Sequence, residues 1–117
     1  MQRIVTMTDP KKTDHHYEET MKSLRTNLQF AGRNVKTIVI TSCFPNEGKS
    51  DISFQLAKEI GNIGKKAVLV DADIRRSNII TRYRIDKQVK GLSNYLCGSV
   101  DHTYLCTYIF DSGIFFQ

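Results

Sequence analysis

The 117-residue chain lacks the features that mark several common protein classes. Its three cysteines, Cys43, Cys97 and Cys106, form no C-x-x-C pair and no even-numbered set, so reduced thiols fit better than disulfides or a zinc site. No apolar run approaches the roughly 18 residues of a membrane-spanning helix. The polar N-terminus is unlike a signal peptide. These absences predict a cytoplasmic protein.

Signals for nucleic-acid, calcium and zinc binding are also missing. The basic residues are dispersed, without a helix-turn-helix pattern or the aromatic-basic interleaving of an RNA-binding sheet, so we expect no nucleic-acid partner. What is present is the composition of one soluble domain, with 40% hydrophobic and 25% charged residues. The net charge of +5 suits an anionic partner such as nucleotide phosphates, or reflects only a solvated surface with a modest lysine excess.

Hydrophobic periodicity predicts alternating helices and strands. Apolar residues at helical spacing predict a helix from Asp14 to about Phe30, with Asp14 as N-cap and Gly32 at its end. Residues 37–41 are β-branched and apolar in succession, as in a buried parallel strand. A second helical stripe follows at Ile52, Leu56, Ala57 and Ile60, and residues 67–70 predict a second buried strand. Residues 37–73 thus predict one βαβ unit with a right-handed crossover.

The predicted organisation is a tail over 1–13, a domain over 14–103 and an atypical segment over 104–117. Within the domain, residues 78–84 are weakly helical, and residues 91–96 predict a turn leading into a short helix. The segment from Tyr104 to Gln117 has no assignable period, and we expect Asp111 to lie in no hydrophobic strand.

The loop between the first predicted strand and the second helix carries a phosphate-binding pattern. Gly48, Lys49 and Ser50 supply a glycine, a lysine for the β- and γ-phosphates and a hydroxyl for Mg²⁺, at a helix N-terminus whose amides attract anions. The general pattern has glycine where Cys43 stands, and a lysine-capped surface turn is the alternative. We predict ATP and Mg²⁺ as cofactors. The predicted nucleotide-binding residues are Pro45, Asn46, Glu47, Gly48, Lys49, Ser50 and Asp51.

Two acids end the second predicted strand. Ligands of open α/β sheets bind beyond the carboxyl ends of the strands, so Asp71 and Asp73 should share a crevice with the loop. There they can hold Mg²⁺ and accept a proton from an attacking hydroxyl, although strand-end aspartates also cap helices. We therefore predict Asp71, Asp73 and Lys49 as catalytic, and Ser50 and Asp71 as Mg²⁺ ligands. Arg75 and Arg76 either stabilise phosphate charge, pair with acids across a subunit boundary, or are solvated arginines.

Four segments in order resemble the bacterial tyrosine kinases (BY-kinases) of capsule and exopolysaccharide synthesis, in their separate cytoplasmic form. The segments are ETMKSLRTNLQF over 19–30, TIVITSCFPNEGKS over 37–50, AVLVDADIRR over 67–76 and KGLSNYLCGS over 90–99. The resemblance implies a P-loop NTPase-like α/β fold, with a parallel β-sheet flanked by helices, of which the chain holds the N-terminal half.

The resemblance also implies site roles and partners. Gly48, Lys49 and Ser50 fall on Walker A, and Asp71 and Asp73 fall on Walker A′, whose first aspartate activates the tyrosine hydroxyl. Implied partners are a transmembrane activator or chain-length regulator, which would recruit the chain to the inner face of the membrane, and a tyrosine acceptor, another copy of the kinase in trans.

Three departures from the family pattern affect these expectations. The self-association motif Glu-x-x-Arg-x-x-Arg reads here as Glu19, Lys22 and Arg25, and lysine forms no bidentate carboxylate pair, which weakens the case for a homo-oligomer. Asp51 stands where relatives have Thr or Ser near the α-phosphate; it either repels that phosphate or favours the helix N-terminus. No Walker B strand or tyrosine cluster is visible, so we expect a C-terminally truncated chain with low stability and impaired kinase activity.

Two further functions stay open. One is a partition or cell-division type of P-loop ATPase, although such proteins usually carry an extra lysine early in the loop and residues 43–46 contain none. The other is a fragment without enzymatic activity that binds nucleotide weakly or docks on a membrane activator through its first helix.

Overall fold

The computed structural model describes residues 14–32, 34–73, 79, 82, 90–101, 108–111 and 114–116. Its elements, in chain order, are α1 (His15–Ala31), α2 (Lys49–Asn62), β1 (Ala67–Leu69), α3 (Leu92–Leu96), β2 (Tyr108–Asp111) and β3 (Ile114–Phe116). The predictions for the tail over 1–13 and for Arg75, Arg76 and Tyr104 lie outside the described residues. Within the described part, no helix is long and apolar enough to cross a membrane.

Helix α1 begins and ends where its sequence predicts. The Asp14 carboxylate accepts a hydrogen bond from the backbone N–H of His16 at 2.6 Å, so it caps an amide that has no acceptor within the helix. Gly32 follows the last helical residue. Of the predicted apolar stripe, Met21 is buried, while Tyr17 and Leu24 are half-buried. This stripe faces α2, the element against which α1 packs.

Residues 37–41 are the clearest departure from prediction. They form no strand, and the side chain of Val39 is 83% exposed. A β-branched run becomes a strand only when a neighbouring backbone accepts its hydrogen bonds. In the described part of the chain, no strand pairs with residues 37–41. The predicted buried strand is therefore wrong here, and with it the first strand of the βαβ unit.

Helix α2 is the centre of the packing. It contacts α1, β1 and β2, so more than one of its faces is covered. The consecutive residues Phe54, Gln55, Leu56 and Ala57 are all buried, a pattern typical of a helix enclosed by its neighbours. The predicted stripe is confirmed at Leu56 and Ala57, whereas Ile52 is exposed. The most buried side chain, Phe54, lies outside the stripe that the sequence predicted.

The described strands form one antiparallel sheet in the order β1-β2-β3. Ala67 pairs with Phe110 and Leu69 with Tyr108, and β2 then turns back to pair with β3. The predicted strand over 67–70 is confirmed as β1, although Val68 is exposed. The predicted parallel sheet is not seen. A parallel neighbour for β1 would come from residues 37–41, and β1 pairs instead with a hairpin that follows it at a distance in the chain.

Asp111 is a second correction. It is the last residue of β2, whereas the sequence predicted no strand there. Because β2 runs antiparallel to β1 and Phe110 pairs with Ala67, Asp111 lies beside the beginning of β1. Asp71 follows the other end of β1. The two acids therefore lie at opposite ends of the sheet, and Asp111 does not take the position of a Walker B aspartate next to Asp71.

The two shorter helical predictions are also borne out where the structure describes them. Ile79 and Arg82, the described residues of the 78–84 stretch, are helical. Helix α3 follows Gly91, whose backbone N–H donates to the Asn94 side-chain oxygen at 2.9 Å. That bond satisfies an amide at the helix start and explains why the turn leads directly into α3.

Candidate functional site

The loop that precedes α2 is closed by its own polar groups. The Ser42 hydroxyl donates to the Phe44 carbonyl oxygen at 2.9 Å, and the Phe44 backbone N–H donates to the Glu47 carboxylate at 3.2 Å. Glu47 therefore accepts from within the loop rather than pointing away from it. These two bonds hold the chain in a tight bend that ends at α2.

Two residues of this loop have left-handed backbone conformations. Asn46 has φ 63° and Gly48 has φ 85°. Asparagine tolerates this region better than most residues, and glycine enters it without steric cost. A Cβ added at Gly48 would meet no atom within 4 Å. The backbone angle, and not lack of space, is thus the reason for glycine at this position.

Helix α2 begins directly after this bend with the predicted lysine and serine. Gly48 is the N-cap and has no side chain to cap the helix, so amide hydrogens of the first turn are left for another acceptor. Lys49 and Ser50 are the first two helical residues and are half-buried. The Ser53 hydroxyl donates to the Lys49 carbonyl oxygen at 2.6 Å. The first turn of α2 therefore combines uncapped amides with a lysine and a serine, residue types suited to phosphate.

Asp71 and Asp73 lie close together after β1. The backbone N–H of Asp73 donates to the Asp71 carboxylate at 3.0 Å, and both side chains are half-buried. Only residues 63–66 separate α2 from β1, and the two elements are in contact, so β1 runs back along the helix. The carboxyl end of β1 and the N-terminal end of α2 thus lie toward the same end of this unit. The crevice shared by the acids and the loop stays a prediction.

Asp51 has a partner that the sequence did not reveal. Arg82 Nη1 lies 2.5 Å from the Asp51 carboxylate oxygen. The sequence left Asp51 either as a source of phosphate repulsion or as a helix-N-terminal acid, and did not single out Arg82. Its only local signal was a weak helical pattern over 78–84. The pairing depends on tertiary packing, which no spacing along the chain encodes.

The three predicted self-association residues are paired within the chain. Lys22 Nζ donates to the Glu19 carboxylate at 2.8 Å on the exposed surface of α1. Their hydrogen bond, aided by the opposite charges, lowers the pKa of Glu19 and raises the pKa of Lys22. Arg25 Nη1 instead donates to the Glu59 carboxylate of α2 at 3.1 Å. Arg25 therefore joins the two helices of this chain.

The Arg25–Glu59 pair is poorly exposed. The two side chains are 17% and 11% accessible, and Arg25 Nε is buried without a hydrogen-bond partner. The amide of Asn62 adds a longer contact to the same carboxylate at 3.4 Å. A carboxylate with these neighbours compensates a guanidinium that the helix packing has partly removed from water.

Replacement of Glu59 by glutamine tests this pair. The glutamine oxygen can still accept from Arg25 but leaves its charge uncompensated, so we expect the free energy of unfolding to fall by about 1–2 kcal/mol. Urea denaturation measures the change. Glu19→Gln is the matched control, because its ion pair with Lys22 is exposed and should contribute little. Equal shifts of the urea midpoint for the two variants would contradict the role of burial.

Other chemistry-bearing groups are sparse in the part of the chain that the structure describes. No group of three or more His, Cys, Asp or Glu residues there is placed to hold a metal ion. Cys43 and Cys97 are exposed free thiols, as the sequence predicted. A hydrogen bond with the Ser99 hydroxyl lowers the pKa of the Cys97 thiol. Ser50 and Asp71 stay the predicted Mg²⁺ ligands.

Comparisons with known proteins find relatives that align with most of the chain. The chain is 42% identical over 84 residues to tyrosine-protein kinase CpsD of Streptococcus agalactiae, covering 72% of this chain and 37% of that protein. It is 38% identical over 99 residues to tyrosine-protein kinase YwqD of Bacillus subtilis, covering 82% of this chain and 40% of that protein. Tyrosine-protein kinase CpsD of Streptococcus pneumoniae is 34% identical over 90 residues, covering 76% of this chain and 40% of that protein.

These matches are to sequences of individual proteins. No family model matches the chain, and no solved structure matches it. The chain spans about two fifths of the length of these three curated relatives. Each of these relatives nevertheless aligns with most of this chain, at 34% to 42% identity. Together with the four ordered segments, they show that this chain belongs to the bacterial tyrosine-kinase (BY-kinase) family.

Proposed function

We propose that this chain binds ATP with Mg²⁺ and provides the nucleotide-binding part of protein-tyrosine phosphorylation. The observation that carries the proposal is the left-handed turn at Gly48, which leads into α2 and sets Lys49 and Ser50 at an uncapped helix N-terminus. The relatives, named tyrosine-protein kinases, support the choice of reaction. A relative named for the cps region of Klebsiella pneumoniae supports a role in capsule or exopolysaccharide synthesis.

Each residue of the site has a role that follows from its chemistry. The Lys49 ammonium neutralises charge on the β- and γ-phosphates, and Pro45, Asn46 and Glu47 shape the loop around them. Ser50 and Asp71 offer oxygen atoms, the ligands that Mg²⁺ prefers, and the bound ion supplies further charge neutralisation of the phosphates. These residues fit the ion in chemical type.

We propose that Asp71 is also the proton acceptor. As the tyrosine oxygen bonds to the γ-phosphorus and the bond to the ADP oxygen breaks, the hydroxyl proton passes to the Asp71 carboxylate. Asp73 supports that carboxylate, because its backbone N–H donates to Asp71. The acceptor tyrosine belongs to a second copy of the kinase, and a transmembrane regulator holds the protein at the inner face of the membrane.

The direct test is a titration of the folded chain with ATP and Mg²⁺ by calorimetry, followed by incubation with a tyrosine-rich acceptor and detection of phosphotyrosine. ATP binding with phosphotyrosine supports the whole proposal. Binding without turnover points to a nucleotide-binding fragment. ATP hydrolysis stimulated by DNA or lipid, without phosphotyrosine, points to a partition-type ATPase. No binding of ATP contradicts the proposal.

Asp71→Asn separates the Mg²⁺ role from nucleotide binding itself. The asparagine oxygen can still accept from the Asp73 N–H, so the local turn is kept while the negative charge is lost. We expect the gain in ATP affinity on adding Mg²⁺ to shrink by about fivefold, the size of one ordinary polar interaction. Calorimetry with and without Mg²⁺ measures it. Asp14→Asn is the control, because asparagine caps α1 as well as aspartate. An unchanged Mg²⁺ effect would remove Asp71 from the metal site.

A further inference from the structure

An ion pair joins the first turn of α2 to a distant part of the chain. Asp51 is the third residue of α2, directly after Ser50, and its carboxylate oxygen lies 2.5 Å from Arg82 Nη1. The Asp51 side chain is 19% exposed and that of Arg82 is 36% exposed. The pair is therefore partly shielded from water.

The position of Asp51 creates an electrostatic problem for phosphate binding. A helix N-terminus attracts negative charge, so the carboxylate is favoured there in the same way as a phosphate. Asp51 also shares the first turn with Lys49, the residue proposed to approach the phosphates. An uncompensated carboxylate at this site would repel a triphosphate and weaken the attraction of the lysine.

Arg82 has the means to solve this problem. A guanidinium carries five N–H donors in a rigid plane and stays charged at any physiological pH, so a contact through Nη1 leaves further donors for other oxygen atoms. Ile79, one helical turn earlier, is buried at 3% exposure. Burial of Ile79 anchors this part of the chain in the core, and the ion pair itself brings Arg82 to the first turn of α2.

We propose that Arg82 is a positioning residue of the nucleotide site: it holds the Asp51 carboxylate and neutralises it, so that the first turn of α2 accepts phosphate. The proposal rests on the proposed function, since it needs nucleotide at the loop. Arg82 then acts through Asp51, so loss of Arg82 should weaken binding only while the Asp51 carboxylate is present. An arginine paired with this acid is what lets the chain carry aspartate directly after the Walker A serine.

The test is a double-mutant cycle of ATP and ADP affinity, measured by calorimetry. We expect Arg82→Ala to weaken ATP binding by about tenfold and ADP binding by about threefold, because Asp51 loses the positive charge of Arg82 and the repulsion between its carboxylate and the nucleotide grows with phosphate charge. The double variant Asp51→Thr with Arg82→Ala should return to within about twofold of the unsubstituted chain. Raising the salt concentration should reduce the Arg82→Ala loss, since the repulsion is screened. Arg82→Lys keeps the charge and should retain most of the affinity.

The outcomes separate this proposal from the one it rests on. If Arg82→Ala lowers ATP and ADP affinity equally and the double variant shows no recovery, Arg82 has only a structural role and the proposal is overturned. The same holds if Arg82→Ala binds ATP normally while Lys49→Ala does not, and in that case the proposed function survives. Should Arg82→Ala fail to fold, Arg82→Gln, which removes the charge but keeps a polar side chain, takes its place at low and high salt and gives the same decision. No ATP binding by the unsubstituted chain overturns both.

Discussion

Replacement of Phe54 by alanine is expected to lower the free energy of unfolding by about 3–5 kcal/mol, the usual cost of removing a buried aromatic side chain. Phe54 is 2% exposed and lies on α2, the helix that contacts α1, β1 and β2. Its loss would leave a cavity in the centre of the packing. Because small domains are stable by only about 5–15 kcal/mol, such a loss would leave little of the fold intact at moderate temperature.

Urea denaturation followed by far-ultraviolet circular dichroism measures this change. Phe30→Ala is the matched control, because Phe30 is also helical but 85% exposed on α1. We expect the control to stay within about 0.5 kcal/mol of the unsubstituted chain. A similar urea midpoint for the two alanine variants would mean that α2 is not packed between α1 and the sheet, and would remove the basis of the fold described above.

Phe54 also shows what helical periodicity can and cannot predict. The spacing of Leu56 and Ala57 correctly predicted a helix and one buried face. It did not predict burial of Phe54 and Glu59, which lie outside that stripe. An apolar stripe in the sequence indicates one contact surface of a helix. Helix α2 is enclosed by α1, β1 and β2 and has several contact surfaces.

Local signals were reliable because the groups that satisfy them lie nearby in the chain. The Asp14 cap, the end of α1 at Gly32 and the bend at Gly48 each depend on a few neighbouring residues. The strand predicted over 37–41 depends on a partner backbone, which composition does not specify. For the same reason the sequence did not predict β2, the strand that ends at Asp111. Its pairing with β1 joins distant parts of the chain.

The candidate site divides in the same way. Glu47, Lys49 and Ser50 could be located from the sequence, because one short loop and the start of one helix contain them. Asp71 could be placed at the end of β1 from its strand pattern. Arg82 could not be found, because its contact with Asp51 depends on packing between separate parts of the chain. Departures such as Asp51 are therefore best interpreted together with the charged residues that the fold brings to them.

The substitution Lys49→Ala is expected to weaken ATP binding by on the order of 100-fold, equivalent to about 2.7 kcal/mol, the range measured for charge-assisted hydrogen bonds. Lys49 is the first residue of α2, at the helix end where the backbone bend at Gly48 leaves amide hydrogens without a side-chain cap. Lys49 has the only basic side chain among residues 42–50, so its ammonium supplies the positive charge at this end of the helix. Calorimetry in the presence of Mg²⁺ measures the affinity.

Lys58→Ala is the matched control for this experiment. It removes the same charge from the same helix, but more than two helical turns away from the loop and on the opposite side, so ATP affinity should be unchanged. Thermal unfolding gives an independent reading. At a hundred times its dissociation constant ATP should stabilise the unsubstituted chain by about 2.7 kcal/mol, and should stabilise Lys49→Ala by less than about 0.5 kcal/mol.

The two measurements together decide which feature of the site binds nucleotide. If both lysine variants lose affinity equally, the net positive charge of the chain attracts ATP without a defined site, and the loop has no special role. If neither loses affinity, ATP binds elsewhere and the tyrosine-kinase assignment of Lys49 is wrong. Loss in Lys49→Ala alone places the phosphates at the start of α2. Only in that case do Asp71 and the Asp51–Arg82 pair lie where they can act on them.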